Sequence, residues 1–139
     1  MGVFRLKSSV VTESGRRIVV FAPHQDDETL CCGGAIAAAT RAGSTVHVVY
    51  LTDGGKSEDA QSAIQVADIR RNEAVTACGI LGVPQNHVVF LGFPDGQLTA
   101  HHALALAAVE ETLMHRNPDE IYIPDRKSTR LNSSHSSVS

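Results

Sequence analysis

The amino-acid sequence predicts one α/β domain built on an open, mostly parallel sheet covered by helices. Two observations carry this. Short β-branched apolar runs alternate along the chain with longer helix-period segments, the pattern of strands joined by helical crossovers. The 139 residues are 42% hydrophobic and only 4% aromatic, with no tryptophan, which is enough for a single aliphatic core.

Residues 17–22, RIVVFA, are the first strand, apolar and β-branched with a polar start. Small apolar residues dominate 27–42 and predict a helix that Gly43 ends. Residues 45–51 are a second β-branched run, closed by the turn-forming Thr52-Asp53-Gly54-Gly55. Residues 62–81 are a second helix, with Gly82 and Pro84 as stops. Residues 87–91 are a third strand and 92–96 a loop of turn residues. Residues 99–116 are a third helix before Pro118, and 121–123 a fourth short strand. Right-handed crossovers put the C-terminal end of every parallel strand on one edge, where ligands of such sheets bind. The segments 24–28, 52–56 and 92–96 should therefore converge on one cleft.

The bulk properties exclude several classes. A net charge of −3 is not the footprint of a nucleic-acid binder. No segment reaches the roughly 18 apolar residues of a membrane span, and the N-terminus lacks an apolar signal core. A soluble, cytoplasmic protein is expected. Cys31, Cys32 and Cys78 form no CxxC pair, and Cys31 and Cys32 are read as packing thiols. From Arg126 the chain is serine-rich and without periodicity. The expected organisation is residues 1–125 as the N-terminal part of a single domain and 126–139 as a non-native or disordered tail.

The strongest chemical signal is Pro23-His24-Gln25-Asp26-Asp27-Glu28, directly after the first strand. A histidine and three carboxylates at the mouth of a buried strand are costly unless a cation or a reaction uses them. His24 and Asp27 can both reach one cation where a strand turns into a helix. Zinc accepts this mixed donor set and, in catalytic sites, keeps a position open for water. A metal there lowers the pKa of that water toward about 7, and Asp26 can take its proton as general base. Glu28 suits the first helical turn and is read as structural. The plainer reading of Asp26 and Asp27 is a helix cap with a solvated acid.

Other motifs carry less. Gly54-Gly55-Lys56-Ser57 is not a P-loop, because Tyr50 stands where its first glycine belongs. Gly33-Gly34 lacks the dinucleotide spacing. Arg70, Arg71 and Glu73 read as a solvated helix face with local ion pairs. Asp95 reads as a turn residue in a loop that the cleft argument brings near the metal. His47 is read as packed or at an edge, His87 as a surface residue, and His101, His102 and His115 as helix-end residues.

The run from Pro23 to Leu30, PHQDDETL, followed by CCGGAIA, resembles the signature of the LmbE-like (PIG-L) deacetylases. The similarity continues through Arg70-Arg71-Asn72-Glu73, Leu81-Gly82-Val83 and Phe90-Leu91-Gly92-Phe93-Pro94-Asp95-Gly96 and covers about residues 17–125. It implies a Rossmann-like fold with helices on both faces, and zinc-dependent removal of the acetyl group from N-acetylglucosamine conjugates. It implies His24 and Asp27 as zinc ligands, Asp26 as general base, and Arg70 and Asp95 as substrate contacts. Gln25 stands where the family often has proline.

The family's third zinc ligand is a histidine in a His-Pro-Asp-His-type motif after the strand matching 121–123. A further histidine there helps stabilise the oxyanion. Here that strand is followed by Pro124-Asp125, and no residue of the chain matches either histidine. The resemblance therefore implies an N-terminal portion with two protein ligands, weak zinc binding and impaired activity. The expected partner is a small-molecule amino-sugar conjugate. Alternatives are a hydrolase of a non-sugar amide and a non-catalytic small-molecule or metal-binding α/β module. Iron or another divalent ion would fit the same donors.

Overall fold

The β-branched runs form a sheet because their side chains alternate between two faces that helices then cover. The structure, a computed structural model, describes residues 2–5, 15–22, 33–52, 59–93 and 100–123. Among them the elements are β1 (Gly2–Arg5), β2 (Arg17–Ala22), α1 (Gly33–Arg41), β3 (Thr45–Thr52), α2 (Ala60–Ile80), β4 (Val88–Phe93), α3 (His102–Arg116) and β5 (Glu120–Ile123). A single 3₁₀ turn over Gln85–His87 leads into β4. The sheet order is β1-β5-β2-β3-β4. β2 pairs parallel with both β3 and β5, and β3 pairs parallel with β4. The α/β fold with a mostly parallel sheet is the one the alternation predicted.

Alternation along the strands builds two aliphatic layers. Ile18, Val20, Val46, Val48, Tyr50 and Tyr122 face Ile36 of α1 and Ala74 and Cys78 of α2. Val19, Phe21, Val49 and Ile121 face the other way, with Val109 and Leu113 of α3 packed against them. Each fully buried Val or Ile stabilises the fold by roughly 1.5–3 kcal/mol relative to exposure. The buried Tyr50 hydroxyl lies 3.4 Å from Cys78 Sγ, which gives its polar tip a partner inside this layer. Cys78 is thus a buried packing thiol; Cys31 and Cys32, the two read as packing thiols, lie outside the described residues.

Element boundaries differ from the sequence reading where a local device intervenes. α2 starts at Ala60 because Asp59 caps it, accepting from Ser62 N at 2.8 Å and Ser62 Oγ at 2.9 Å. These hydrogen bonds hold the Asp59 carboxyl below its usual range. At the other end Gly82, at φ +93°, stops the helix beneath Thr40 of α1. β5 begins one residue early, at Glu120, whose carboxylate accepts from Arg16 Nη1 at 3.3 Å. Asp119 clamps the same corner, its Oδ2 accepting from Arg17 N at 2.8 Å and its N donating to Arg17 O at 2.7 Å. β1 was not anticipated: it adds an antiparallel strand on the outer side of β5. No described helix is long and apolar enough to cross a membrane.

Candidate active site

Parallel pairing aligns the C-terminal ends of β2, β3, β4 and β5 on one edge. The registers place Ala22 beside Tyr50, Thr52 beside Phe93, and Val20 beside Tyr122. Neighbouring strands lie about 4.8 Å apart, so the chain leaves β2 and β4 at points roughly 10 Å from each other. The segment after Ile123 starts one strand away from the segment after Ala22, although about a hundred residues separate them. From β2 the sheet grows one way through β3 and β4 and the other way through β5. The crevice at such a reversal, outside the carboxyl ends of the strands, is where open α/β sheets bind ligands.

His24, Asp26 and Asp27 come directly after β2 in the sequence and lie outside the described residues, as does Asp95 after β4. Arg70 is described. It stands midway along α2, exposed, with its Nη1 3.4 Å from Glu73 Oε1. Among the described residues no other candidate contacts it. Arg71 turns the other way, its guanidinium 4.5 Å from the centroid of the Phe90 ring on β4. The solvated helix face predicted for Arg70 and Glu73 is therefore present. Arg71 instead covers the sheet.

Three features of this edge were missed by sequence reasoning. The registers pair Tyr50 with Phe90 but Thr52 with Phe93, so β4 carries one extra residue at its end. Gly92, at φ +78°, supplies the left-handed backbone of this bulge. Bulges of this kind re-aim the end of a strand, here just before Pro94-Asp95-Gly96. The sequence reading starts the loop at Gly92; the signal that marks the bulge is a glycine flanked by Leu91 and Phe93. Thr52 is a wholly buried polar residue at the end of β3, not part of an exposed turn. His101, the N-cap of α3, brings its ring to 6.1 Å from Phe93 at the same edge. Among the described residues no three His, Cys, Asp or Glu side chains form a group able to hold a metal.

Comparison with known proteins decides the family. The family described as PIG-L, GlcNAc-PI de-N-acetylase, matches residues 19–139. The chain belongs to the PIG-L family. The 1D-myo-inositol 2-acetamido-2-deoxy-alpha-D-glucopyranoside deacetylase of Mycobacterium sp. (strain KMS) is 38% identical over 96 residues, 63% of this chain and 30% of that protein. This PIG-L chain thus spans about a third or less of the length of the curated relatives it matches. Among solved structures, N,N'-diacetylchitobiose deacetylase from Pyrococcus horikoshii superposes with a TM-score of 0.66 at 27% identity, covering 75% of this chain and 39% of that one. GalB, the 4-carboxy-2-hydroxymuconate hydratase of Pseudomonas putida KT2440, superposes at 0.63 with 29% identity, covering 74% and 44%.

Proposed function

We propose that this PIG-L chain carries residues of a site that hydrolyses the N-acetyl amide of an N-acetylglucosamine-type conjugate. The observation that carries the reading is the HQDD run at the end of β2, beside the reversal in strand order, in a chain related to deacetylases of amino sugars. One imidazole and one carboxylate with open positions are donors that suit zinc. His24 and Asp27 are the residues that would hold it. When bound, zinc supplies the Lewis acidity that activates water and polarises an amide carbonyl.

The chain's own residues do the rest. Asp26 takes the proton of the attacking water as its oxygen bonds to the carbonyl carbon, then returns a proton to the nitrogen as the C–N bond breaks. Arg70 and Asp95 orient the sugar, and the small-molecule conjugate is the partner. The absence of a third matching ligand predicts weak zinc binding by this chain. A cytoplasmic setting fits a small-molecule substrate.

GalB supports a second reading, because the same layer there hosts a hydratase. Acetate release from N-acetylglucosamine conjugates by the zinc-loaded chain separates the two. Asp26→Asn should abolish release while zinc stays bound, and His24→Ala should lose the zinc. Release that survives both changes, or water addition to an enoate in its place, would sink the deacetylase reading.

A further inference from the structure

At the opposite edge of the sheet, where the strands begin, three basic side chains meet. His47 lies near the start of β3, His87 ends the 3₁₀ turn before β4, and Arg116 closes α3. The two imidazole rings stack with centroids 4.2 Å apart and 27° between their planes. Arg116 Nη1 lies 3.3 Å from His47 Nε2. A guanidinium can only donate, so His47 Nε2 accepts and the proton of that ring sits on Nδ1. His87 Nδ1 lies 3.2 Å from Val46 O. A carbonyl can only accept, so His87 carries a proton on Nδ1. All three residues are half-buried.

Among the described residues the cluster has no counter-charge. Among the described residues no carboxylate is within ion-pair distance of His47, His87 or Arg116. Burial, then His87, then Arg116 lower the His47 pKa to about 4. Of the acids on the packed elements, two are engaged elsewhere and Glu111 shares a groove with Arg116 without pairing with it. Glu120 at the start of β5 faces Arg16, and Asp119 is bonded to the Arg17 backbone. Glu111 lines an open groove with Thr112, His115 and Arg116 over Val89 and Leu91.

We propose that His47, His87 and Arg116 form a proton-coupled site for a small oxyanion of the phosphate or sulfate class, on the edge away from the candidate active site. The anion takes the place of the Arg116–His47 hydrogen bond. Its oxygens accept from the guanidinium, whose fork suits tetrahedral oxyanions. His47 Nε2, released from Arg116, takes a proton from solvent and donates it in a hydrogen bond to a further oxygen. The anion offsets the repulsion that kept the imidazole neutral, so binding and protonation strengthen one another. The device is independent of the deacetylase reading.

The test is an NMR pH titration of the histidines in the intact 139-residue chain, in sodium sulfate and in sodium chloride at equal ionic strength. Sulfate keeps its charge across the range. The His47 midpoint should rise by about one unit in sulfate, equivalent to roughly tenfold tighter binding to the protonated ring. Arg116→Gln should remove the difference between the salts. Equal midpoints in the two salts, an equal rise at every histidine, or a rise that persists in Arg116→Gln would each overturn the site. Should Arg116→Gln not fold, His87→Gln and the comparison of the two salts on the unmodified chain decide the matter.

Discussion

Arg70 and Arg71 are adjacent in sequence, yet a helix turns them about 100° apart and gives them different work. Arg71 lies over Phe90 and Arg70 reaches Glu73. Exposed pairs at this helical spacing contribute about 0.2–0.5 kcal/mol, whereas a cation over an aromatic face contributes about 0.5–1 kcal/mol. Arg71→Ala should therefore lower the urea midpoint more than Arg70→Ala. If Arg70 orients substrate, its alanine variant raises KM while stability barely moves. His47 makes a pH prediction. Its folded pKa of about 4 lies below the ordinary imidazole value of 6.5, so the unfolded chain binds more protons between these values. Stability should be full above about pH 6.5 and fall as the pH drops toward about 4, by roughly 1–2 kcal/mol after solvent screening. His47→Gln should flatten this part of the urea-midpoint profile. A variant that lost stability as steeply as the parent would show that the cluster does not titrate as described.

At the scale of elements, two glycines with positive φ set how strands and helices end. A Cβ on Gly82 would stand 2.6 Å from Thr40 Oγ1, which donates to Leu81 O at 2.7 Å. Gly82→Ala must both push aside this α1 contact and accept a left-handed backbone, so a loss of at least about 2 kcal/mol is expected in thermal or urea unfolding. Gly92 has open space around its missing Cβ. Gly92→Ala should cost only the backbone strain, about 1–2 kcal/mol, and should disturb turnover more than Gly82→Ala if the bulge aims the Asp95 loop. The contrast shows what a sequence can and cannot reveal. β2 and β3 were legible because runs such as RIVVFA and TVHVVYL have no other economical use than a buried strand. The bulge was not, because a glycine after an apolar run signals a turn and a strand end equally well. The His47–His87 stack was invisible too, since it joins residues forty apart through register rather than through any local pattern. β1, only four residues long, has too little periodicity to stand out and gains its place from the open side of β5.

For the whole molecule, the candidate site depends on segments that the sheet gathers from far apart, and the run after β2 was readable only because its chemistry is so unusual for a strand end. With two matching ligands, the chain should hold zinc weakly in equilibrium dialysis. Added imidazole, as a free nitrogen donor, should strengthen the binding. Binding that is tight without imidazole, or indifferent to it, would mean the ligand set differs from the one proposed. The placement of β5 has a further consequence, for synthesis. β2, β3 and β4 can pair as soon as residues 17–93 are made, but the other side of β2 waits for a partner whose clamp spans 102 residues, from Arg17 to Asp119. Contacts of such long range slow folding. On the ribosome, β2, buried at every position but its first in the folded chain, therefore emerges early with one side unsealed. That nascent half-sheet is where a chaperone would be needed and where aggregation would start.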